Sequence, residues 1–244
     1  MKYIVILGDG MADYHDKSLN GKTPLLLANK PTIDGLCKNA EVGLCRTVGK
    51  GLKPGSDVAN LSVLGYNPKE CYTGRSPLEA SSIGIVLKDT DVTARANLVT
   101  LSNEEKFEDK TMIDYSSGEI TTEESTVLIN YLAEKLNTGD LKLYPGISYR
   151  HCLVIDNGVI AGDLTPPHDI TGKAIKTHLP TSEAGKLYLD LMKKSVELLK
   201  NHPINLERIK NGKNPANSLW FWGEGTKPNL ESFKSKYGLN GTMI

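Results

Sequence analysis

Apolar positions in this chain cluster in short runs separated by polar turns. Lys2-Tyr3-Ile4-Val5-Ile6-Leu7 is β-branched and apolar and stops at Gly8-Asp9-Gly10. That pattern predicts a buried parallel strand with an acidic residue at its carboxyl end. Residues 23–28 predict a helix with Pro24 in its first turn, and residues 31–36 a second short helix. Residues 41–48 read as a second strand. Lys53-Pro54-Gly55 turns into a helix over residues 56–64, stopped by Gly65, and residues 73–80 turn into another. The texture then changes. Residues 91–101 alternate like a strand, and a turn-rich segment begins at Ile113. Thr121-Thr122-Glu123-Glu124 marks the start of an amphipathic helix over residues 125–136. Residues 148–155 predict a strand and Asp156-Asn157-Gly158 a hairpin turn. Residues 163–173 form a polar, proline-rich loop. A long helix follows from Thr181 to Leu199, then a buried strand over residues 218–223 and a short helix over residues 231–237. Gly241-Thr242-Met243-Ile244 looks like another strand beginning.

This order of elements predicts an α/β fold: a mixed or parallel sheet flanked by helices, with right-handed βαβ connections as the default. Strands around one helix mark residues 88–178 as a smaller inserted α+β module. The chain thus divides into residues 1–87, 88–178 and 179–244.

Composition narrows the function. The 244 residues are 39% hydrophobic, with 29 basic and 29 acidic side chains. The neutral balance gives no footprint for nucleic acid or an anionic membrane. There is no apolar run long enough to span a bilayer, and a core strand at the N-terminus argues against a signal peptide. Cys37, Cys45, Cys71 and Cys152 form no Cys-x-x-Cys pair and fit packing roles in a reducing cytoplasm. The sequence leaves the oligomeric state open.

Two residues carry the first chemical signal. Asp9 ends a strand, where an Asp-Gly turn is the ordinary explanation. Ser56 begins a helix, where an N-cap is the ordinary explanation. The same helix start offers partial positive charge and free N–H groups to a phosphate. There a serine can accept a phosphoryl group and ligate a metal. Asp57 and Asn60 lie on the same turn and can orient or contact the phosphate.

Order and company strengthen these signals. Gly-Asp-Gly-Met-Ala-Asp at 8–13, Pro-Gly-Ser-Asp-Val-Ala-Asn-Leu-Ser-Val-Leu-Gly-Tyr at 54–66 and Gly-Arg-Ser-Pro-Leu-Glu-Ala at 74–80 closely resemble the archaeal-type cofactor-independent phosphoglycerate mutases, members of the alkaline phosphatase superfamily. The resemblance continues through Arg-Ala-Asn-Leu-Val-Thr (95–100), Asp-Tyr-Ser-Ser-Gly-Glu-Ile (114–120), Tyr-Pro-Gly-Ile-Ser-Tyr-Arg-His (144–151), Pro-Pro-His-Asp-Ile-Thr-Gly-Lys (166–173) and Leu-Trp-Phe-Trp-Gly-Glu-Gly (219–225).

The resemblance implies an alkaline-phosphatase-like catalytic domain, residues 1–87 and 179–244, interrupted by a substrate-binding insert over residues 88–178. It implies two divalent metals, Mn2+ first, with Mg2+, Co2+ or Zn2+ as alternatives. Asp9 and Ser56 match metal ligands, and Ser56 also matches the serine that carries the phosphoryl group. The implied substrate is a small phosphorylated three-carbon acid, 3-phosphoglycerate interconverting with 2-phosphoglycerate in the cytoplasm. Holding it requires cations, for which Arg95, Arg150 and His151 are candidates, with Asp114, His168, Asp169 and Lys173 nearby. A structural ion pair remains the competing explanation for each arginine, and a satisfied core residue for each histidine.

The chain departs from the family pattern twice. No Asp/His-rich metal-ligand segment follows His178, which predicts an N-terminal portion of a longer protein, inactive alone. Glu119 stands where many family mutases have histidine. That departure, with Thr121-Thr122-Glu123 and Trp220-Phe221-Trp222, keeps open a related branch proposed to act as a homoserine kinase, although no Walker or kinase glycine-rich loop is present.

Overall fold

The computed structural model describes residues 2–8 and 10–241, in two compact units, 1–46 and 47–244. Asp9 and the last three residues of the C-terminal strand expectation, residues 242–244, lie outside the described residues.

The first unit holds two short helices. In α1 (Pro24–Leu27) the Thr23 hydroxyl caps the first turn by accepting from the Leu26 N–H; α2 (Pro31–Cys37) also opens on proline. Both follow the sequence expectation. The strand expected over residues 2–7 does not form: these residues take no regular secondary structure and are exposed, Ile6 at 89%. Residues 41–48 form no strand either, and Val42 is 86% exposed. β-Branched composition favours a strand only where a neighbouring strand takes its N–H and C=O groups, and the described residues supply none.

The second unit begins with α3 (Ser56–Val63), α4 (Pro68–Cys71) and α5 (Arg75–Ser82). A five-stranded antiparallel sheet follows: β1 (Val92–Leu101), β2 (Met112–Asp114), β3 (Leu141–Tyr144), β4 (Arg150–Ile155) and β5 (Ser218–Thr226). Its helices are α6 (Thr122–Leu136), α7 (Gly185–Leu199), α8 (Pro203–Lys210) and α9 (Phe233–Tyr237). A sheet flanked by helices is the expected class; within the described residues its pairings are antiparallel rather than parallel. β1 is the centre, pairing with β4 and β2 along one edge and β5 along the other. All ten of its residues are buried. β5, from the 179–244 segment, thus completes a sheet whose other strands come from residues 88–178.

Paired residues of antiparallel strands share a face, so Arg95, Cys152 and Trp222 lie together on one side. Helix α5 covers that side, with Ser76 Oγ 3.7 Å from Cys152 Sγ. The other side meets α7, where Tyr188 stacks on Phe221 at 5.5 Å. The edge strand β3 is closed by its own loop: Leu143 N–H donates to Asn137 Oδ1.

Local details correct the sequence expectations. Asn157 adopts a left-handed turn, but no strand follows it, so Asp156-Asn157-Gly158 is not a hairpin. Helix α7 starts at Gly185 rather than Thr181, because the Asp163 carboxylate accepts from the Thr181 and Ser182 N–H groups and holds that segment as a turn.

Candidate functional site

Arg95 projects from the middle of β1 into the layer between sheet and α5 and is 3% exposed. Its guanidinium lies over the Trp222 ring, 4.4 Å from Cζ to the centroid. Trp222 is anchored in turn: its Nε1–H donates to Asn97 Oδ1 at 3.1 Å, and Asn97 Nδ2 donates to Tyr115 O. Glu79 Oε2 stands 2.8 Å from Arg95 Nε, an ion pair without the alignment of a hydrogen bond. Burial pushes the Arg95 guanidinium down to about 10; Glu79 opposes this, and Arg75 and Arg150 add to it. At neutral pH the group is therefore a buried cation with cationic neighbours and one close carboxylate. A buried charge is tolerated when it is paired and hydrogen-bonded, and among the described residues Arg95 has the first without the second.

Around this cation the structure gathers other predicted residues. Arg150 lies over the Tyr149 ring at 5.2 Å. His168 packs edge-on against Trp222 at 5.1 Å and against Tyr115 at 6.2 Å, and Tyr115 meets Tyr149 at 5.7 Å. The result is an aromatic basin carrying arginines. Beside it a cleft of about 240 Å³ is bordered by Glu79, Ser82, Gly146 and Arg150. A larger groove of about 720 Å³ lies between the end of α6 and α7, away from these groups.

The other predicted residues take different places. Asp114 Oδ1 accepts from Ser116 N and Oγ, and Oδ2 from Gly118 N and Asn214 Nδ2. Burial alone would raise its pKa, but these hydrogen bonds outweigh it and hold the carboxyl below its ordinary value. Asp114 thereby organises the following loop, where Ser117, Gly118 and Glu119 all have positive φ. Ser117 Oγ donates to Leu98 O, and Arg208 donates to Ser117 O, so the loop is tied down on both sides. The exposed Glu119 sits within electrostatic reach of the Tyr149 phenol. Backbone in such regions persists only where its surroundings enforce it.

His151 points away from the arginine face, since it pairs with Ala96 rather than Arg95. Its Nδ1 accepts from Gly146 N, its Nε2 has no partner among the described residues, and burial drives the imidazole down to about 3. Burial thus disfavours the charged form that a substrate anion would pair with. Asp169 and Lys173 are exposed on the loop beyond His168, with Lys173 Nζ donating to Asp169 O.

Ser56 is the first residue of α3 and is exposed. Gly55, not Ser56, is the N-cap, and the Ser56 hydroxyl has no hydrogen bond among the described residues. Asp57 accepts from the Tyr72 hydroxyl; burial, with Asp57, pushes the Tyr72 phenol well above its ordinary range, and that phenol also feels Arg75 and Glu79. Asp57 at the α3 start is thereby tied to Tyr72, which lies just before α5 in the chain. Asn60 lies one turn along, half-buried. Among the described residues no three His, Cys, Asp or Glu side chains are placed to hold a metal ion, so those residues alone do not make the expected metal site.

Sequence reading missed Arg75, Glu79 and Trp222. Arg75 and Glu79 entered only as part of the motif at 74–80, and Trp222 only within a buried strand.

Comparison with known proteins adds the following. A family model described as 2,3-bisphosphoglycerate-independent phosphoglycerate mutase matches residues 37–205. A Methanosarcina barkeri protein of that name is 48% identical over 245 residues, covering all of this chain and 60% of its own length. A solved Pyrococcus horikoshii structure superposes with a TM-score of 0.67 at 30% identity, over 94% of this chain and 53% of that one. The cofactor-independent phosphoglycerate mutase of Thermoplasma acidophilum matches at a TM-score of 0.50 and 25% identity, over 93% of this chain and 60% of its own. The chain spans about 60% of the length of the curated relatives it matches.

Proposed function

We propose, from the premise that this chain belongs to the 2,3-bisphosphoglycerate-independent phosphoglycerate mutase family, that it supplies the phosphoryl-accepting serine and the acid-binding basin for interconverting 3-phosphoglycerate and 2-phosphoglycerate. Ser56 Oγ attacks the phosphorus, the bond from phosphorus to the C3 oxygen breaks, and the proton lost by the Ser56 hydroxyl is balanced by one gained at that oxygen. The glycerate stays held and turns. Its 2-hydroxyl then attacks the phosphoserine and restores the Ser56 hydroxyl. Arg95 and Arg150 hold the acid through the turn, because guanidinium groups bind carboxylate and phosphate through two parallel N–H bonds.

The observation that carries this reading is Arg95: a 3%-exposed cation without a hydrogen bond among the described residues, in a basin with further arginines. A divalent metal belongs to the same proposal, with Asp9 and Ser56 as this chain's donors. Calorimetry with Mn2+ on the 244-residue chain should give no tight two-site isotherm; one that did would show a complete metal site here and sink the half-built reading.

The test of the reaction is phosphorus NMR on the full-length natural protein with Mn2+, 3-phosphoglycerate, ATP and homoserine in one tube. A growing 2-phosphoglycerate signal, lost in Ser56→Ala, is the expected result. A second reading, a homoserine kinase-like phosphotransferase, is favoured by Glu119, a carboxylate on a constrained loop beside Tyr149 that suits an ammonium group. A phosphohomoserine signal with loss of ATP would establish it instead.

A further inference from the structure

Helix α5 brings a second arginine to Arg95, and both meet the same carboxylate. Glu79 Oε1 lies 3.2 Å from Arg75 Nε and Oε2 lies 2.8 Å from Arg95 Nε. We infer that Glu79 is the positioning residue of an oxyanion subsite formed by Arg75 and Arg95 over Trp222. The inference rests on reading the basin as the place where the acid end of the substrate is held, and it adds a second cation and the group that aligns the two.

The chemistry of the guanidinium carries the argument. Nε lies at the stem of the fork and the two Nη groups at its tip. A carboxylate that engages Nε on two arginines leaves both tips free, and neither tip has a hydrogen bond among the described residues. A carboxylate serving only to neutralise Arg95 would gain more by a bidentate contact with one guanidinium. Here it is divided between two, with Arg150 a further positive neighbour of Arg95. The excess charge is what an oxyanion would offset.

The arrangement is in place before any ligand arrives. Arg75 and Glu79 are one helical turn apart on α5, so the backbone sets their spacing. Arg75 Cζ lies 5.6 Å and Arg95 Cζ 4.4 Å from the Trp222 ring centroid, so one indole supports both cations. One glycine admits the pair. Gly74, at φ 146°, lets α5 abut β5: a Cβ there would fall 2.1 Å from Glu224 O.

The competing role, a plain counter-charge, predicts the opposite sign. Removing a bystander carboxylate beside an anion site strengthens anion binding; removing one that aligns the cations weakens it. The test titrates the protein with 3-phosphoglycerate and, separately, with inorganic phosphate, following tryptophan emission, in wild type, Glu79→Gln, Glu79→Asp and Arg75→Gln. Expected are binding roughly tenfold weaker in Glu79→Gln, partial recovery in Glu79→Asp, and a similar loss in Arg75→Gln. The double variant Arg75→Gln/Glu79→Gln should bind no more weakly than either single one, because the two residues act as a unit. Glu79→Gln binding as tightly as wild type, or more tightly, overturns the inference. Melting curves check that each variant is folded. Should Glu79→Gln fail to fold, Arg75→Gln decides, since it leaves the Arg95–Glu79 pair in place, and wild-type affinity there overturns the inference equally. Wild type that takes phosphate but ignores 3-phosphoglycerate removes the mutase substrate and leaves the subsite to be judged on phosphate. Wild type that takes neither overturns the subsite.

Discussion

Residues 2–7 and strand β1 have nearly the same sequence texture and opposite fates. Tyr3-Ile4-Val5-Ile6-Leu7 is richer in β-branched and large apolar residues than Val92-Thr93-Ala94-Arg95-Ala96, yet it stands exposed while β1 is wholly buried. The difference lies in partners. β1 is bonded along both edges, by β4 and β5, and covered by helices on both faces. That setting tolerates even an arginine in a central strand, because Trp222 and Glu79 receive it. The comparison teaches that strand propensity is a request for a neighbour, answered or not by the rest of the chain.

The sharpest way to break the comparison is truncation on each side of it. Leu98→Ala should cost about 2–5 kcal/mol in urea unfolding, since Leu98 is fully buried and leaves a cavity. Ile6→Ala should stay within about 0.5 kcal/mol, as for exposed positions generally. Equal losses would mean that residues 2–7 are packed after all.

Acid comes next. Burial holds His151, beside Ala96 of β1, down to about 3, against an ordinary value near 6.5. The unfolded chain therefore binds a proton that the folded chain refuses as pH falls below 6.5. Stability is lost through that window, by at most about 1.4 kcal/mol per pH unit. Thermal melts from pH 7 to 4 should show a shallower decline in His151→Gln; parallel curves would refute the assignment.

Gly223→Ala should cost about 1–2 kcal/mol, because φ 62° is strained for a residue with a Cβ. A neutral effect in chemical denaturation would mean that the bulge between β1 and β5 relaxes freely. The smallest test is amide exchange. Residues 2–7 should exchange close to unstructured rates and β1 among the slowest in the chain.

Where an element carries its own signal, the sequence was enough to find it. Thr23 before Pro24, Thr121 before Glu124 and Gly65 after α3 are local capping devices, and those helices formed where their caps stood. β1, β4 and β5 were legible because their apolar runs met one another. Residues 41–48, with a similar run and no partner among the described residues, were not. At the site, Arg95, Arg150 and His168 could be named because they stand in motifs that resemble the family. Arg75 and Glu79 could not, because an i, i+4 pair on a helix is the commonest surface motif, and only the docking of α5 over Trp222 brings this half-exposed pair to Arg95. For His151 the sequence left both roles open, because it does not say which face of a strand a residue takes: one position along β4 separates the arginine layer from the core.

By itself, then, the sequence determined the helices that carry their own caps, the strands dense enough in apolar residues to demand burial, and the family to which the motifs belong. Those properties are local or additive along the chain. The tertiary structure alone decided which strands found partners, which face each charged residue took, and that one carboxylate on α5 meets two arginines over a single indole. These depend on groups far apart in the chain arriving at one place, and no periodicity along the sequence encodes that arrival.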